Sequence, residues 1–181
     1  MVAGRSGGGL RAECEAGVVE RGLYQGSGLG LVDDKGRVAI PASLRSTLAV
    51  NAPRADGKDG GVVVVGVHQD APCLIAYDQP YAATLKAQLD VQETAGGEGR
   101  RDFNVKRAAA LGELVPFDGS GRFILPELLL FQAGIEQNAF FYGVFDYFEI
   151  WDPATLVGFE GIPEPVKKAC RFYCGKKGIA L

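Results

Sequence analysis

The chain repeats itself. Residues 33–41 read DDKGRVAIP and residues 118–126, 85 positions later, read DGSGRFILP, so Asp, Gly, Arg and Pro fall in register. The same order continues downstream: an apolar run ending in Gly-Val (62–67, then 140–144) precedes a second run (74–78, then 148–152). Each half closes on an aromatic-Asp pair, Tyr77-Asp78 or Trp151-Asp152, with a Pro within two residues. The offset there is 74, so the first copy is longer by 11 residues, and the Gly- and Asp-rich stretch 51–61 is the obvious site of the larger insertion. One supersecondary unit has been used twice. A unit of roughly 45 residues is too small to bury a stable core alone, so the two copies are expected to pack together.

Each copy can be read locally. Residues 29–32 and 37–40 are short β-type runs around Asp-Asp-Lys-Gly, where Gly36 can take the positive φ that closes a bulged hairpin; Gly121 does the same in copy two. Pro41 and Pro126 suit helix starts, and Gly134 suits a helix C-cap. Residues 62–67 and 74–77 read as a second strand pair. Asp78 and Asp152 read as N-caps of closing helices, the first running to about residue 95, with a bridging helix over 100–111. The fold class is therefore α+β: two tandem repeats packed together, with short helices after each hairpin and closing helices. The expected divisions are a disordered extension (1–22), repeat one with its closing helix (23–97), the bridge (98–112), repeat two (113–160) and a basic C-terminal tail (161–181).

Composition narrows the function. Of 181 residues 47% are apolar, enough for an ordinary core without metal or disulfide. With 19 basic against 22 acidic side chains, overall charge does not advertise nucleic-acid binding, although charge can be local. No apolar stretch approaches the ~20 residues of a membrane span, and the first 22 residues lack the apolar centre of a secretory signal. The chain reads as cytoplasmic, with its four cysteines as free thiols.

Two strings carry a family likeness. The first runs from Tyr24 and Gly26 through Asp33, Lys35, Gly36, Arg37, Ile40 and Pro41 to Leu44 and Arg45. The second runs from Asp118, Gly121, Arg122, Leu125 and Pro126 to the segment FEIWDP at 148–153. Together, over residues 23–156, they resemble the MraZ family of bacterial regulators, which carry tandem AbrB-like (SpoVT-AbrB) domains with swapped-hairpin β structure. The resemblance implies a repressor of the division and cell-wall gene cluster. It would bind promoter repeats in double-stranded DNA as a ring homo-oligomer, octamer or dodecamer, and associate with the nucleoid. It assigns DNA contacts to Lys35, Arg37, Arg45 and Arg122, with Asp33, Gly36, Asp118 and Gly121 in support. The position matching Arg45 is Leu130, so copy two lacks one cation.

Asp33 and Arg37 stand at the two ends of one turn, as do Asp118 and Arg122. An exposed ion pair that only stiffens a turn is worth at most about 1 kcal/mol, little reason to place it in both copies. The family reading has the Asp orient a planar guanidinium toward a phosphate or base edge. Residues 33–58 carry five cations against three acids, whereas 118–134 carry Arg122 alone against Asp118 and Glu127, so copy one is expected to be the better phosphate binder. The end, 161–181, holds five cations and one acid and reads as a solvated tail or an auxiliary phosphate arm. Aromatics on both faces of 140–148 imply that both are covered, one by the core and the other by a neighbouring subunit or by ordinary packing. His68, the single histidine, has no triad partner in sequence, Gly26 to Gly30 lacks the ending of a phosphate loop, and Cys170 and Cys174 have no second paired cluster. No enzyme activity, cofactor or metal is expected. The competing reading is an AbrB-like oligomeric scaffold for protein partners.

Overall fold

The computed structural model describes residues 21–52, 60–95 and 104–181. Repeat one supplies β1 (Ser27–Leu31), β2 (Arg37–Ala39), α1 (Ala42–Asn51), β3 (Gly61–Val67), β4 (Leu74–Asp78) and α2 (Tyr81–Ala95). A short α3 (Asn104–Ala109) leads into repeat two: β5 (Glu113–Phe117), β6 (Arg122–Ile124), α4 (Glu127–Ala133), β7 (Asn138–Gly143), β8 (Phe148–Trp151) and α5 (Pro153–Gly158). A further helix, α6 (Glu164–Lys176), ends the fold. The local signals act as their chemistry dictates. Asp78 Oδ1 accepts the Tyr81 N–H at 3.1 Å and Asp152 Oδ2 accepts the Thr155 N–H at 2.8 Å, each satisfying a donor at a helix start. Gly134 closes α4 in the left-handed conformation, with φ +63°.

Strand pairing crosses between the repeats. The eight-stranded sheet runs β1-β7-β8-β4-β3-β5-β6-β2, antiparallel at every junction. Exchanging each strand for its counterpart in the other repeat reproduces every junction but one, since β5 pairs with β6 whereas β1 and β2 lie at opposite ends of the order, so the two copies are related by an approximate twofold. The first strand of each repeat pairs with the third strand of the other: β1 with β7 and β5 with β3. The second strands pair with each other. Neither repeat can close its sheet by itself.

The core follows the same logic. Val38, Ile40, Leu44 and Leu48 of repeat one lie in one buried cluster with Phe123, Leu125, Leu129 and Ala133 of repeat two. Burying each such aliphatic or aromatic side chain is worth roughly 1.5–3 kcal/mol, and that gain requires both copies. Gly28 and Gly30 lie within β1 itself. A Cβ on Gly28 would meet Pro41 Cγ at 2.8 Å, and one on Gly30 would meet Val38 Cγ2 at 2.5 Å. Only glycine lets β1 pass this close to β2.

Two other expectations are corrected. Residues 164–176 are not a solvated tail: α6 lays Cys170 and Cys174 into a buried cluster with Phe140, Trp151 and Leu156, with Tyr173 packed at its edge. This helix, together with α5, covers the second apolar face of β7, so that face needs no neighbouring subunit. The N-terminal boundary also moves. Residues 1–20 lie outside the described residues, but Arg21 and Gly22, assigned to a disordered extension, are engaged in the fold. Arg21 Nε and Nη2 donate to Asp78 Oδ2 at 2.9 and 2.5 Å, and Gly22 exchanges two 2.8 Å hydrogen bonds with the Asn51 side chain.

Candidate nucleic-acid interface

The D-x-x-G-R pattern builds a braced turn. In turn one (33–37), the Asp33 carbonyl accepts the Gly36 N–H at 2.8 Å, and Gly36 takes φ +73°, the left-handed conformation that glycine adopts without a Cβ clash. The Asp33 carboxylate fills the inside of the turn. Its Oδ1 accepts the Lys35 and Arg37 backbone N–H groups at 2.9 and 3.0 Å, and its Oδ2 accepts Arg37 Nε at 2.7 Å. Turn two (118–122) repeats this atom for atom: Ser120 and Arg122 N–H donate to Asp118 Oδ1 at 2.9 Å, and Arg122 Nε donates to Oδ2 at 2.8 Å. Both carboxyls are held below the usual carboxylate range, foremost by the backbone N–H of Arg37 or Arg122. Nε is the only nitrogen of either guanidinium engaged among the described residues.

Pairing of β2 with β6 sets the two arginines side by side. Arg37 faces Ile124, Val38 faces Phe123 and Ala39 faces Arg122. Val38 and Phe123 are buried, so the alternation of strand faces places Arg37, Ala39, Arg122 and Ile124 on the solvent side, with Arg37 56% and Arg122 67% exposed. The two arginines occupy diagonal positions of the antiparallel pair, about 7–8 Å apart at the backbone. An open groove of about 1010 Å³ runs over this ribbon, lined by both Asp–Arg pairs and by apolar Leu31, Pro116 and Ile124.

The remaining predicted cations divide. Lys35 is exposed at the tip of turn one. Arg45 does not join it. The helix that carries Arg45 stands over turn two, where Arg45 Nη1 donates to the Ser120 carbonyl. The charge count that grouped Arg45 with copy one is therefore corrected, because α1 follows β2 at the end where β2 meets repeat two: the Ile40 N–H donates to the Gly121 carbonyl at 2.9 Å. By the same crossing, Leu125 N–H donates to the Gly36 carbonyl at 2.9 Å and Leu130 lies over turn one. Sequence reasoning missed Ser120 and Leu130. Their signal was present, since Leu130 occupies the Arg45 position, but it needed the pairing partner to be interpreted.

Other residues of chemical interest have structural surroundings. His68 Nδ1 accepts the Asp70 N–H at 3.0 Å, and Nε2 lies 3.8 Å from buried Glu149, which also accepts Tyr142 OH at 2.5 Å and Trp151 Nε1 at 2.7 Å. Cys73, Cys170 and Cys174 are buried free thiols, and burial pushes Cys170 up to about 12. Among the described residues no helix is long and apolar enough to cross a membrane.

Comparison with known proteins extends the geometry. The family model of the MraZ protein, described as antitoxin-like, matches residues 112–160, the second repeat. A transcriptional regulator MraZ of Ruegeria pomeroyi is 31% identical over 136 residues, covering 73% of this chain and 78% of that relative. The protein of the same name from Rhodospirillum rubrum is 31% identical over 134 residues, covering 72% of this chain and 79% of its own length. The Burkholderia vietnamiensis protein is 28% identical over 153 residues, covering 80% and 97%.

Proposed function

The chain belongs to the MraZ family of transcriptional regulators, and from that premise we propose that it acts by binding double-stranded DNA through its two Asp-braced arginine hairpins. The observation that carries this reading is the β2–β6 ribbon, a two-stranded antiparallel element with Arg37 and Arg122 on one solvent face. The major groove admits such a ribbon, and forked guanidinium donors suit guanine O6/N7 or a phosphate. Lys35 adds a point charge at the tip of turn one.

A protein of net charge −3 cannot rely on bulk attraction. Repeating the ribbon around a ring homo-oligomer, octamer or dodecamer, multiplies contacts at matched spacing and raises affinity without new chemistry. Since α6 covers β7, the ring rests on the family likeness and not on an uncovered β7 face. The same likeness supplies the promoter repeats of the division and cell-wall gene cluster as target, repression as outcome, and the cytoplasm and nucleoid as location.

The scaffold reading keeps one observation in its favour: Phe131 is 83% exposed and Leu128 51% exposed on α4, an apolar pair suited to a protein partner. A mobility-shift assay on the chain's own upstream region, with unrelated duplex as competitor, separates the two. The expected result is a specific shift, abolished by Arg37→Ala while light scattering still reports the wild-type assembly. An intact Arg37→Ala assembly with wild-type affinity, or no specific shift for the wild type, favours the scaffold.

A further inference from the structure

We propose that Arg45, carried by repeat one, is a positioning residue of the second hairpin and supplies the cation that this hairpin lacks in sequence. The proposal deepens the DNA-binding reading above and rests on it for its functional part. Its geometric part stands alone.

The second hairpin carries Arg122 and Asp118, so its own charges cancel. The first carries Asp33 and Asp34 against Lys35 and Arg37 and is also neutral. Arg45 at turn two therefore leaves the second hairpin as the more cationic of the pair, the reverse of the order in sequence. Its aliphatic stem fills the place left by Gly121: a Cβ there would lie 2.5 Å from Arg45 Cδ and 3.2 Å from Cγ. On the pseudo-symmetric side, Leu130 Cδ1 lies 3.3 Å from the corresponding point on Gly36. Both helices thus seal the opposite turn with the side chain at the same helix position, but only Arg45 adds a charge.

That charge is connected to Arg122. Arg45 Nη1 donates to the carbonyl of the Ser120–Gly121 peptide, whose N–H donates to the Asp118 carbonyl at 2.8 Å. Asp118 in turn holds Arg122 through the 2.8 Å Nε bond. A cation on the carbonyl end of a peptide polarises its N–H and strengthens the bond that closes the turn. Arg45 therefore acts on DNA through Arg122, by fixing the turn from which Arg122 projects.

The test is a double-mutant cycle on the full-length protein, with the duplex of its own upstream region as probe across a salt series. Arg45→Ala should weaken binding about tenfold, the effect of losing one charge-assisted contact. In an Arg122→Ala background it should have no further effect on affinity or salt slope. Arg45→Met, which keeps the stem over Gly121 and removes the charge, should behave like Arg45→Ala without the packing defect, and Arg45→Lys should recover part of the loss. If Arg45 touched phosphate directly, its loss would add to that of Arg122→Ala and lower the salt slope by a further ~0.9, which overturns the proposal. So would unchanged affinity in Arg45→Met. If the wild type binds no duplex, the DNA reading fails and hydrogen exchange decides the remainder. Faster exchange of the Gly121 amide than of the Gly36 amide in Arg45→Met sustains the positioning role, and equal exchange removes it.

Discussion

Replacing Arg21 by Ala should destabilise this protein more than replacing either hairpin arginine. Asp78 is fully buried and accepts six hydrogen bonds or close polar contacts: three from Arg21, whose Nε reaches both carboxylate oxygens, and one each from Tyr24 OH (2.9 Å), Asn51 Nδ2 (3.3 Å) and the Tyr81 N–H (3.1 Å). The Arg21 side chain is 25% exposed and also lies over the Tyr81 ring, 4.6 Å from its centroid. Breaking a fully buried pair costs about 3–5 kcal/mol. Three donors stay on Asp78 and Arg21 is partly solvated, so roughly 2–3 kcal/mol is the expected loss. For a chain of this size each kcal/mol lowers Tm by about 2–4 °C, which predicts a fall of roughly 4–12 °C. Arg37→Ala removes an exposed bond and should shift Tm by no more than about 2 °C. Thermal unfolding followed by calorimetry, paired with urea titration to confirm an unchanged m-value, measures both. Removing residues 1–22 should carry at least this penalty, because it removes Arg21 and also the two Gly22–Asn51 hydrogen bonds. An Arg21→Ala protein melting within about 1 °C of wild type would refute the reasoning and return residues 21–22 to a dispensable extension.

Gly121→Ala should cost more than Gly134→Ala: both residues have positive φ, worth about 1–2 kcal/mol to a non-glycine, but only Gly121 would also displace Arg45, since nothing lies within 4 Å of a Cβ on Gly134; urea midpoints compare them. Asp33 and Asp118 have folded pKa values below their unfolded ones. The turn stability they contribute is thus fully present above about pH 4 and lost as pH falls through the folded values. Asp33→Asn should lack that part of the acid dependence when melting is followed from pH 6 to pH 2. Cys170 and Cys174 should resist alkylation at neutral pH until α6 detaches, which peptide mass spectrometry checks; labelling of the native protein within minutes would mean that α6 is not held on the sheet.

Turns, caps and strand alternation were legible in the sequence because each depends on neighbours within a few residues. Asp33 and Gly36 state their turn in five positions, Asp78 and Asp152 announce their helices, and Gly134 marks a helix end. Self-similarity revealed that one unit occurs twice and that neither copy is large enough to stand alone. The bracing of Arg37 by Asp33 and of Arg122 by Asp118 was legible for the same local reason.

Pairing partners were not legible, because two copies of one motif offer each strand a similar alternative partner in its own repeat and in the other. Burial decides between them: only the crossed arrangement puts Val38 and Ile40 against Phe123 and Leu125, and lets glycine-bearing β1 pass over β2 to reach β7. That crossing moves Arg45 from the hairpin beside it in sequence to the one beside it in space. Cations in 161–181 likewise suggested a solvated end, whereas Cys170, Tyr173 and Cys174 recur at helical spacing and find in Phe140 and Trp151 an apolar surface to cover. Local chemistry determined the shape of each hairpin, and long-range burial determined which residues stand over it.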